Sequence, residues 1–449
     1  MEAKKQQQKE KMSWEMKFEV EERKYIKPST ATPPHLKTFK LSLIDQLSPT
    51  IHINIILFYP HNTLHFSTKS QLLQTSLSQT LTRFYPVAGR LQDAATVHCN
   101  DDGVLFIESQ TNASLSDILT APNFDTLQGF LPSADDQNAS MLLVRFTSFR
   151  CGATAVTISL SHKIADMATV LALLQTWTAA CAGAAAPPVP ELGAGVALFP
   201  PREIPDVSIS VKTVASEKLT WRRFVFDASK VRELKEKVKS ALENGEDKGS
   251  VFEPSRVEVV LALIWKCALA ASRSKTVSFK RSVMFQAVNL RPRMEPAVSD
   301  AAVGNILWML AVTVEEERHV ELHALVRRIR EGMREFVETK VEKFKEDGAF
   351  GVLMESLKEM GEVFRKSKDE DATFPLLNVD FGWGEPLWMC SVNKTVNNTI
   401  TLTDTRDGGV EAFVILDDSE MFFFEQDPDL LHYALLNPSL MPSSSQSII

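Results

Sequence analysis

Two pairs of residues in this sequence have the types and spacing of an acid–base centre, a histidine followed four positions later by an aspartate. The first pair is His98 and Asp102 in VHCNDDGV, and the second is His162 and Asp166 in SLSHKIADMATV. A neutral imidazole can accept a proton near neutral pH, and a carboxylate one turn away can orient the ring or hold its loop. Chance supplies such a pair about once in every two chains of this length, so the spacing does not choose between them.

The surroundings of the two histidines differ. His98 lies in a polar Asn-Asp-Asp-Gly turn between two apolar runs, which is typical of a solvent-exposed loop residue. His162 follows the apolar run AVTISLS and precedes the apolar segment ADMATVLALLQTW, which predicts a strand-to-helix corner. Active-site residues collect at such element ends. A buried histidine with a purely structural role stays open as the alternative for this stretch.

Composition limits the class of function. The 449 residues, 44% hydrophobic and 24% charged, indicate a globular protein with two domains or two lobes. A net charge of −8 argues against a nucleic acid partner. The five cysteines lie far apart without a Cys-x-x-Cys pair, so we expect neither a disulfide scaffold nor a metal site.

The ends and apolar runs of the sequence predict where the protein resides. Residues 1–29 are charged and rich in glutamine, and they lack the apolar segment of a signal peptide. No apolar run reaches the about 18 residues that a membrane-spanning helix needs. We therefore expect a cytoplasmic protein with no membrane partner.

Helix-like and strand-like segments alternate without regular β-α-β units, which predicts an α/β fold of two lobes with mixed sheets and flanking helices. A segment rich in Pro, Gly and Ala near residues 185–205 is the one clear linker. We divide the chain into an N-terminal lobe (17–190), a crossover linker (191–218) and a C-terminal lobe (219–449). The segment TITLTDTRDGGVEAFVIL predicts a hairpin in the last of these.

Several longer motifs separate the two histidine pairs. In order along the chain they are LSLIDQL, YPVAGRL, SHKIAD, SRVEVVLALIWKCALAA, VNLRPR, Gly304-Asn305, VDFGWGEP and DTRDGGVEAFVIL. With these motifs the chain resembles the plant BAHD acyl-CoA-dependent acyltransferases over most of its length. The resemblance assigns His162 to the H-x-x-x-D motif of that family and leaves His98 outside it. It also implies a chloramphenicol-acetyltransferase-like architecture with a channel between the lobes.

The resemblance implies transfer of an acyl group from a CoA thioester to an alcohol or amine. Acyl-CoA would be a co-substrate, without a permanently bound cofactor. His162 is then the general base in a direct attack without an acyl-enzyme, and such a base contributes ~10²–10⁴-fold. No G-x-S-x-G nucleophile motif occurs in the sequence.

In the family the motif aspartate turns away from the substrate and pairs with an arginine. The resemblance therefore implies an ion pair of Asp166 with Arg291, or with Arg293 as the second candidate, and this pair would hold the loop of His162. Surface charge is the alternative interpretation of both arginines.

The Asp-Phe-Gly-Trp-Gly motif supplies Asp380, Gly382, Trp383 and Gly384. The family assigns them mainly to the support of the fold and of the CoA side of the channel. Asp380 stays a candidate for a catalytic role beside the alternative of a buried structural anchor.

The phosphates of CoA need donors or cations. A predicted helix that opens at Ser255 is one candidate, because helix N-termini bind anions, and the segment 275–281 is another. Ordinary surface polarity is the alternative for both.

The chain departs from the family pattern at two places. Relatives carry a Thr-Ser-Trp-like segment that lines the acceptor pocket, about ten residues before the Asp-Phe-Gly-Trp-Gly motif. Here that segment looks shortened, with Thr373-Phe374-Pro375 in its place, and Met167 follows Asp166 where many members have Gly. Oxyanion stabilisation would then come from elsewhere, or activity would be reduced.

The motifs most resemble the branch that acetylates alkaloid and terpenoid alcohols. We therefore expect a monomeric O-acetyltransferase that uses acetyl-CoA and a hydroxyl of a plant specialised metabolite. Three alternatives stay open: a benzoyl- or hydroxycinnamoyl-CoA donor, a catalytically reduced binding homologue, and an interaction protein that docks through the amphipathic segment VELHALVRRIREGMREFVETKVEKF.

Overall fold

A computed structural model describes residues 16–204, 219–244, 252–273, 279, 281–344, 349–364, 370–374, 379–392 and 398–441. It confirms the expected α/β fold of two lobes with mixed sheets. In the N-terminal half the strands are β1 (Phe18–Ile26), β2 (Thr38–Lys40), β3 (His52–Tyr59), β4 (Arg90–Leu91), β5 (Thr96–His98), β6 (Val104–Thr111), β7 (Leu142–Phe149) and β8 (Thr154–Ser161). The α-helices there are α1 (Leu43–Leu47), α2 (Phe66–Arg83), α3 (Leu115–Leu119), α4 (Phe124–Gln128), α5 (Ala134–Ala139), α6 (Met167–Cys181) and α7 (Ala194–Leu198).

The C-terminal half contributes a second set of elements. Its strands are β9 (Leu219–Phe226), β10 (Ser282–Asn289), β11 (Leu307–Val314), β12 (Glu370–Phe374), β13 (Trp388–Ser391), β14 (Thr399–Asp404), β15 (Val410–Asp417) and β16 (Leu435–Leu436). Its α-helices are α8 (Ala228–Asn244), α9 (Arg256–Arg273), α10 (Leu322–Phe336), α11 (Glu342–Phe344), α12 (Ala349–Phe364), α13 (Asp418–Phe424) and α14 (Pro428–Tyr433). A π-helix, Val337–Val341, joins α10 to α11, and short 3-10 turns complete the described elements.

Two mixed sheets organise the lobes. The six-stranded sheet has the order β1-β6-β7-β8-β3-β13, and the seven-stranded sheet has the order β11-β10-β12-β14-β15-β9-β16. The central strands β3 and β8 are rich in β-branched and apolar residues and are buried almost throughout, which suits strands covered on both faces. The predicted hairpin is confirmed, because β14 and β15 pair as antiparallel neighbours.

One strand crosses between the lobes. β13 comes from the C-terminal half of the sequence, yet it pairs antiparallel with β3 and completes the N-terminal sheet. In exchange, the apolar residues of α1 pack in the core of the C-terminal lobe. The division at residue 219 is thus not the division in space, because β13 lies in the sheet of the N-terminal lobe and α1 in the core of the C-terminal lobe.

The predicted crossover linker is only partly described. Residues 191–204 include α7, and Phe199 is fully buried in the core of the C-terminal lobe. Residues 205–218 lie outside the described part of the chain.

The amphipathic segment proposed as a docking surface covers its own lobe instead. Leu325, Val326 and Ile329 of α10 are buried in the core of the C-terminal lobe. The apolar face of this helix is therefore already packed, and the docking alternative loses its support.

Two features of the described residues bear on partners. No helix among them has both the length and the hydropathy to span a membrane. No group of three or more His, Cys, Asp or Glu side chains within the same residues could hold a metal ion.

An aromatic cluster joins the crossing strand to both sheets. Trp388 of β13 stacks on Phe58 of β3 with ring centroids 5.6 Å apart, and its indole lies 6.4 Å from the ring of Phe413 in β15. Phe413 stacks in turn on Trp221 of β9 at 5.2 Å. This cluster brings aromatic side chains from the two halves of the chain into contact.

We expect Trp388→Ala to reduce the free energy of unfolding by about 3–5 kcal/mol, because it empties a buried aromatic site between the lobes. The matched control is Leu387→Ala, since Leu387 is 41% exposed against 6% for Trp388. A surface change of this kind costs less than about 0.5 kcal/mol. Urea unfolding measures both values, and similar losses in the two variants would contradict this account of the interface.

Candidate active site

His162 lies at the strand-to-helix corner that its sequence context predicts. It follows β8 directly, and its backbone N–H donates to the carbonyl of Ile51 at the start of β3 (2.8 Å). The residue is partly exposed, but its Nδ1 is fully buried and has no hydrogen-bond partner among the described residues. The accessible edge of the ring is therefore the one that carries Nε2.

Burial lowers the pKa of His162 below its ordinary value, because it disfavours the charged imidazolium. The carbonyl of His162, the charge of Asp166, the side chain of Asn305 and the carbonyl of Ala165 oppose this shift without overcoming it. His162 is thus a neutral imidazole near neutral pH, and it can accept a proton at its exposed edge.

Asp166 and Arg291 form a buried ion pair. Arg291 Nη1 donates to Asp166 Oδ2 at 2.6 Å and Nη2 donates to Oδ1 at 3.1 Å, with both side chains almost fully buried. The backbone N–H groups of Thr169 (2.9 Å) and Ile306 (3.1 Å) also donate to this carboxylate. Arg293, the second candidate, instead donates to the carbonyl of Asn289. With the hydroxyl of Thr169 (3.0 Å), five donors occupy Asp166, so its carboxylate is not free to accept a proton from a substrate.

Arg291 is satisfied well enough to be buried. Besides Asp166, its Nη2 donates to the carbonyls of Ala302 (2.8 Å) and Gly304 (3.1 Å). A buried ion pair stabilises only when its remaining donors find acceptors, and here both Nη atoms find them whereas Nε is buried without a partner among the described residues. The pair ties a loop of the C-terminal half to the N-terminus of α6.

A second buried carboxylate lies beside the same loop and was missed as a functional residue. Asp45 accepts hydrogen bonds from the backbone N–H and hydroxyl of Ser42, and from the backbone N–H (2.7 Å) and Nδ2 (2.8 Å) of Asn305. Asn305 Nδ2 also donates to the carbonyl of His162 at 2.7 Å. Gly304 allows this approach with φ of +121°, and a Cβ there would lie 3.4 Å from Asp45. The motifs LSLIDQL and Gly304-Asn305 were the available signal, but they carried no chemical assignment.

The Asp-Phe-Gly-Trp-Gly motif forms a tight turn. Asp380 is exposed, and its Oδ1 accepts hydrogen bonds from the backbone N–H groups of Gly382 (2.7 Å) and Gly384 (2.9 Å). Both glycines have positive φ, at 93° and 102°, which other residues rarely adopt. Trp383 packs in the N-terminal core against Tyr59, with ring centroids 6.0 Å apart. Asp380 thus anchors this turn as an exposed residue, whereas the alternative drawn from the sequence was a buried structural anchor.

This turn lies far from His162. Tyr59 donates its hydroxyl to the carbonyl of Val379 (2.8 Å) at the end of β3 opposite to the His162 loop, and β3 covers roughly 23 Å at about 3.3 Å per residue. The helix α6 begins near His162 and ends at Cys181, whose thiol donates to the carbonyl of Phe381, so it covers roughly 21 Å at about 1.5 Å per residue. The structure does not bring Asp380 to His162, which corrects its placement among the catalytic candidates.

The helix end proposed for CoA phosphates is already occupied. Ser255 caps α9, because its hydroxyl accepts a hydrogen bond from the N–H of Glu258, and the Glu258 carboxylate accepts one from the N–H of Ser255. Arg330 pairs with the same carboxylate at 2.6 Å. A carboxylate at this helix N-terminus repels a phosphate, which argues against Ser255 as a CoA contact.

The remaining sequence candidates lie as follows. His98 and Asp102 are both exposed, away from the His162 loop. In the segment 275–281 only Phe279 and Arg281 are described, and Arg281 pairs with Glu315 at 3.0 Å. The segment that looks shortened forms β12 over Glu370–Phe374, and Pro375 lies outside the described residues.

We expect Arg291→Ala to lower the free energy of unfolding by about 3–5 kcal/mol, because Asp166 would keep a buried charge without its partner. Arg293→Ala is the matched control. It lies two positions away on the same turn without an ion pair to Asp166, so its loss stays below about 1 kcal/mol. Denaturant unfolding measures both free energies, and the slope of the free energy against denaturant concentration should stay unchanged. Equal losses of stability in the two variants would show that the buried pair is not what stabilises this region.

Comparisons with known proteins show the family to which the chain belongs. Residues 16–431 match the model of the Transferase family. The epi-neemfruitin B 7-O-acetyltransferase of Melia azedarach is 34% identical, over 95% of this chain and all of the relative. Vinorine synthase of Rauvolfia serpentina is 36% identical over 88% of this chain and 93% of the relative, and its crystal structure superposes with a TM-score of 0.79, covering 95% of this chain and 100% of the other. A structure of TRI101 from F. sporotrichioides, 18% identical with a TM-score of 0.68 over 89% of this chain and 99% of the other, shares the fold. The chain belongs to the Transferase (BAHD) family.

Proposed function

We propose that this protein is an acyl-CoA-dependent O-acyltransferase that moves an acetyl group from acetyl-CoA to a hydroxyl of a plant alkaloid or terpenoid. The observation that carries the proposal is His162, a neutral imidazole with a buried Nδ1 edge and an accessible Nε2 edge, on a loop that two buried carboxylates hold. The names of the relatives, acetyltransferases of limonoid and alkaloid substrates among them, support the acetyl donor and the acceptor class.

His162 is the general base in this proposal. Its Nε2 takes the proton of the acceptor hydroxyl while the oxygen attacks the thioester carbonyl carbon. The tetrahedral intermediate then collapses, the C–S bond breaks, and the CoA thiolate takes the proton back from the imidazolium. The products are the ester and free CoA, and the base is regenerated.

Four of the five cysteines support direct transfer without an acyl-enzyme. Burial raises the pKa of Cys99 to about 11, and burial also raises the pKa of the thiols of Cys181, Cys267 and Cys390. A nucleophilic cysteine needs the opposite shift, toward the thiolate at neutral pH. None of these four thiols is therefore suited to carry the acyl group.

The other residues have supporting roles in the proposal. Asp166 and Arg291 hold the loop of His162, while Asp380, Gly382, Trp383 and Gly384 form a turn that supports the fold. Acyl-CoA and a small alcohol are the partners, with no resident cofactor. The monomeric state, the cytoplasmic location and the channel between the lobes stay predictions.

We expect His162→Ala to reduce kcat for acetyl transfer by at least ~10²-fold, because the hydroxyl would lose its base. The assay follows thiol release from acetyl-CoA with a panel of alkaloid, terpenoid and phenylpropanoid alcohols, with products identified by mass. Full activity in this variant would overturn the assignment of the base.

Two control variants sharpen this test. His98→Ala removes the other histidine of the H-x-x-x-D type, and Asp380→Asn keeps the acceptor oxygen for both glycine N–H groups while it removes the charge. Both should retain activity. Turnover with benzoyl- or hydroxycinnamoyl-CoA but not with acetyl-CoA would change the donor, and CoA binding without turnover of any donor would favour a binding homologue.

The pH dependence of kcat/KM follows from the lowered pKa of His162. The imidazolium cannot accept a proton, so activity falls as the pH drops through this pKa and stays level above it. The acidic limb should therefore lie below the ordinary histidine pKa of about 6.5. Rates between about pH 5 and pH 8 test this, and a limb centred above about pH 7 would contradict the lowered pKa.

A further inference from the structure

Asn305 contacts His162 in a way that the family motifs do not explain. Its side chain is fully buried, and both hydrogens of its amide nitrogen have acceptors, Asp45 Oδ1 at 2.8 Å and the carbonyl of His162 at 2.7 Å. Its Oδ1 is also buried and has no hydrogen-bond partner in the described part of the chain. The same holds for Nδ1 of His162. An acceptor on Asn305 and a ring nitrogen on His162 are thus left over on two residues that already share a hydrogen bond through the His162 backbone carbonyl.

Asp45 decides which atom of the Asn305 amide faces the ring. A carboxylate only accepts hydrogen bonds, so the amide nitrogen must point to Asp45 and the oxygen must point away. Burial raises the pKa of Asp45, and the donors from Asn305 and Ser42 limit this rise. Asp45 has no ion pair with any residue that the structure describes, so these donors, together with the nearby charge of Lys163, stabilise its carboxylate.

Three groups near the imidazole act on it as acceptors. The Asn305 side chain and the carbonyls of His162 and Ala165 each raise the pKa of His162, against the larger effect of burial. An acceptor beside a ring N–H stabilises the imidazolium, whereas a donor to the ring nitrogen would lower its pKa. A ring nitrogen that faces only acceptors carries the proton when the ring is neutral.

The charged groups nearby cannot replace Asn305 in this role. Asp166 is occupied by Arg291, Thr169 and Ile306, and Lys163 donates its ammonium to the carbonyl of Gln46. The ring of His162 therefore has no carboxylate bound to its Nδ1 in the described part of the chain. An amide oriented by a carboxylate takes the place that a carboxylate alone would otherwise occupy.

We infer that Asn305, oriented by the buried carboxylate of Asp45, is a positioning residue that holds neutral His162 with its proton on Nδ1 and so leaves Nε2 as the base. Asp45 comes from α1 in the N-terminal half and Asn305 from the loop before β11 in the C-terminal half. The tautomer of His162 is thus set only when both halves are folded together. The catalytic consequence rests on the proposed function, whereas the tautomer itself does not.

The experiment observes the tautomer of His162 directly in the full-length protein. Histidine is labelled with ¹⁵N, and the signals of His162 are identified as those absent from His162→Ala. At a pH where the ring is neutral, the proton should be on Nδ1 in the wild type. A proton on Nε2 would overturn the inference without any further variant.

Asn305→Ala tests the origin of the tautomer. We expect a larger share of the tautomer with the proton on Nε2 than in the wild type, because only the carbonyls of His162 and Ala165 remain as acceptors. We also expect a fall in kcat/KM of about 10–100-fold carried mainly by kcat, and an acidic limb at lower pH than in the wild type. Asn305→Asp should act in the opposite direction on the limb, because a carboxylate keeps Nδ1 protonated and raises the pKa of the ring. If the acidic limb of kcat/KM shifts in the same direction in Asn305→Ala and Asn305→Asp, the inference is contradicted.

Asn54→Ala is the matched control for lost stability. Asn54 is also a buried asparagine with several side-chain hydrogen bonds, among them one from Ser159, but it does not contact His162. It should destabilise the fold while the tautomer and the acidic limb stay as in the wild type. A tautomer change of the same size in Asn54→Ala would show that loosened packing alone explains the result.

The two proposals fail in different ways. If no donor is turned over, but the ring carries its proton on Nδ1 and loses this preference in Asn305→Ala, the proposed function fails and the positioning role stands. If His162→Ala abolishes activity while Asn305→Ala keeps the wild-type tautomer and acidic limb, the positioning role fails and the base stands.

Discussion

The buried ion pair between Asp166 and Arg291 is the interaction on which the rest of the site depends. It joins residues 125 positions apart, from the N-terminal and the C-terminal halves of the chain. Removing two charges from water costs several kcal/mol for each ion, and here bidentate geometry and further donors and acceptors offset that cost. The same pair caps α6 and brings the loop that contains Asn305 against the His162 corner. Without this pair, each half of the chain would bury an unpaired charge at the place where the two halves meet.

A single short segment binds both buried carboxylates. The N–H of Asn305 donates to Asp45, and the N–H of the next residue, Ile306, donates to Asp166. Both carboxylates are therefore engaged in holding backbone, and neither is paired to the imidazole. Burial can then lower the pKa of His162, because the charge of Asp166 opposes this shift without a hydrogen bond from its carboxylate to the ring. A base that stays neutral is the chemical result of this division of roles.

The interlocking of the lobes explains why the most distinctive motif is remote from the chemistry. The turn around Asp380 directly precedes the segment that carries β13 into the N-terminal sheet, and Trp383 fills the N-terminal core beside Tyr59. The two glycines are needed for positive φ within that turn. Rare residue types at this place thus follow from the demands of the strand crossing, and they carry no information about distance to His162.

Much of the local structure could be predicted from the sequence, because periodicity and end signals act over a few residues. The strand before His162, the helix after it and the hairpin near the end of the chain are of this kind. The family resemblance also separated His162 from the exposed His98. The sequence did not predict the exchange of β13, the distance of Asp380 from the site, or the carboxylate at the N-terminus of α9.

The contacts that distinguish His162 from an ordinary buried histidine were decided only by the tertiary structure. Asp45 and Asn305 are 260 positions apart, and Asn305 and the carbonyl of His162 are 143 apart. No local pattern relates residues so far apart, because their approach depends on how two sheets and their crossing strand pack. The sequence by itself determined which side chain has the chemistry of a base, and the packing of the two halves decided which side chains surround it.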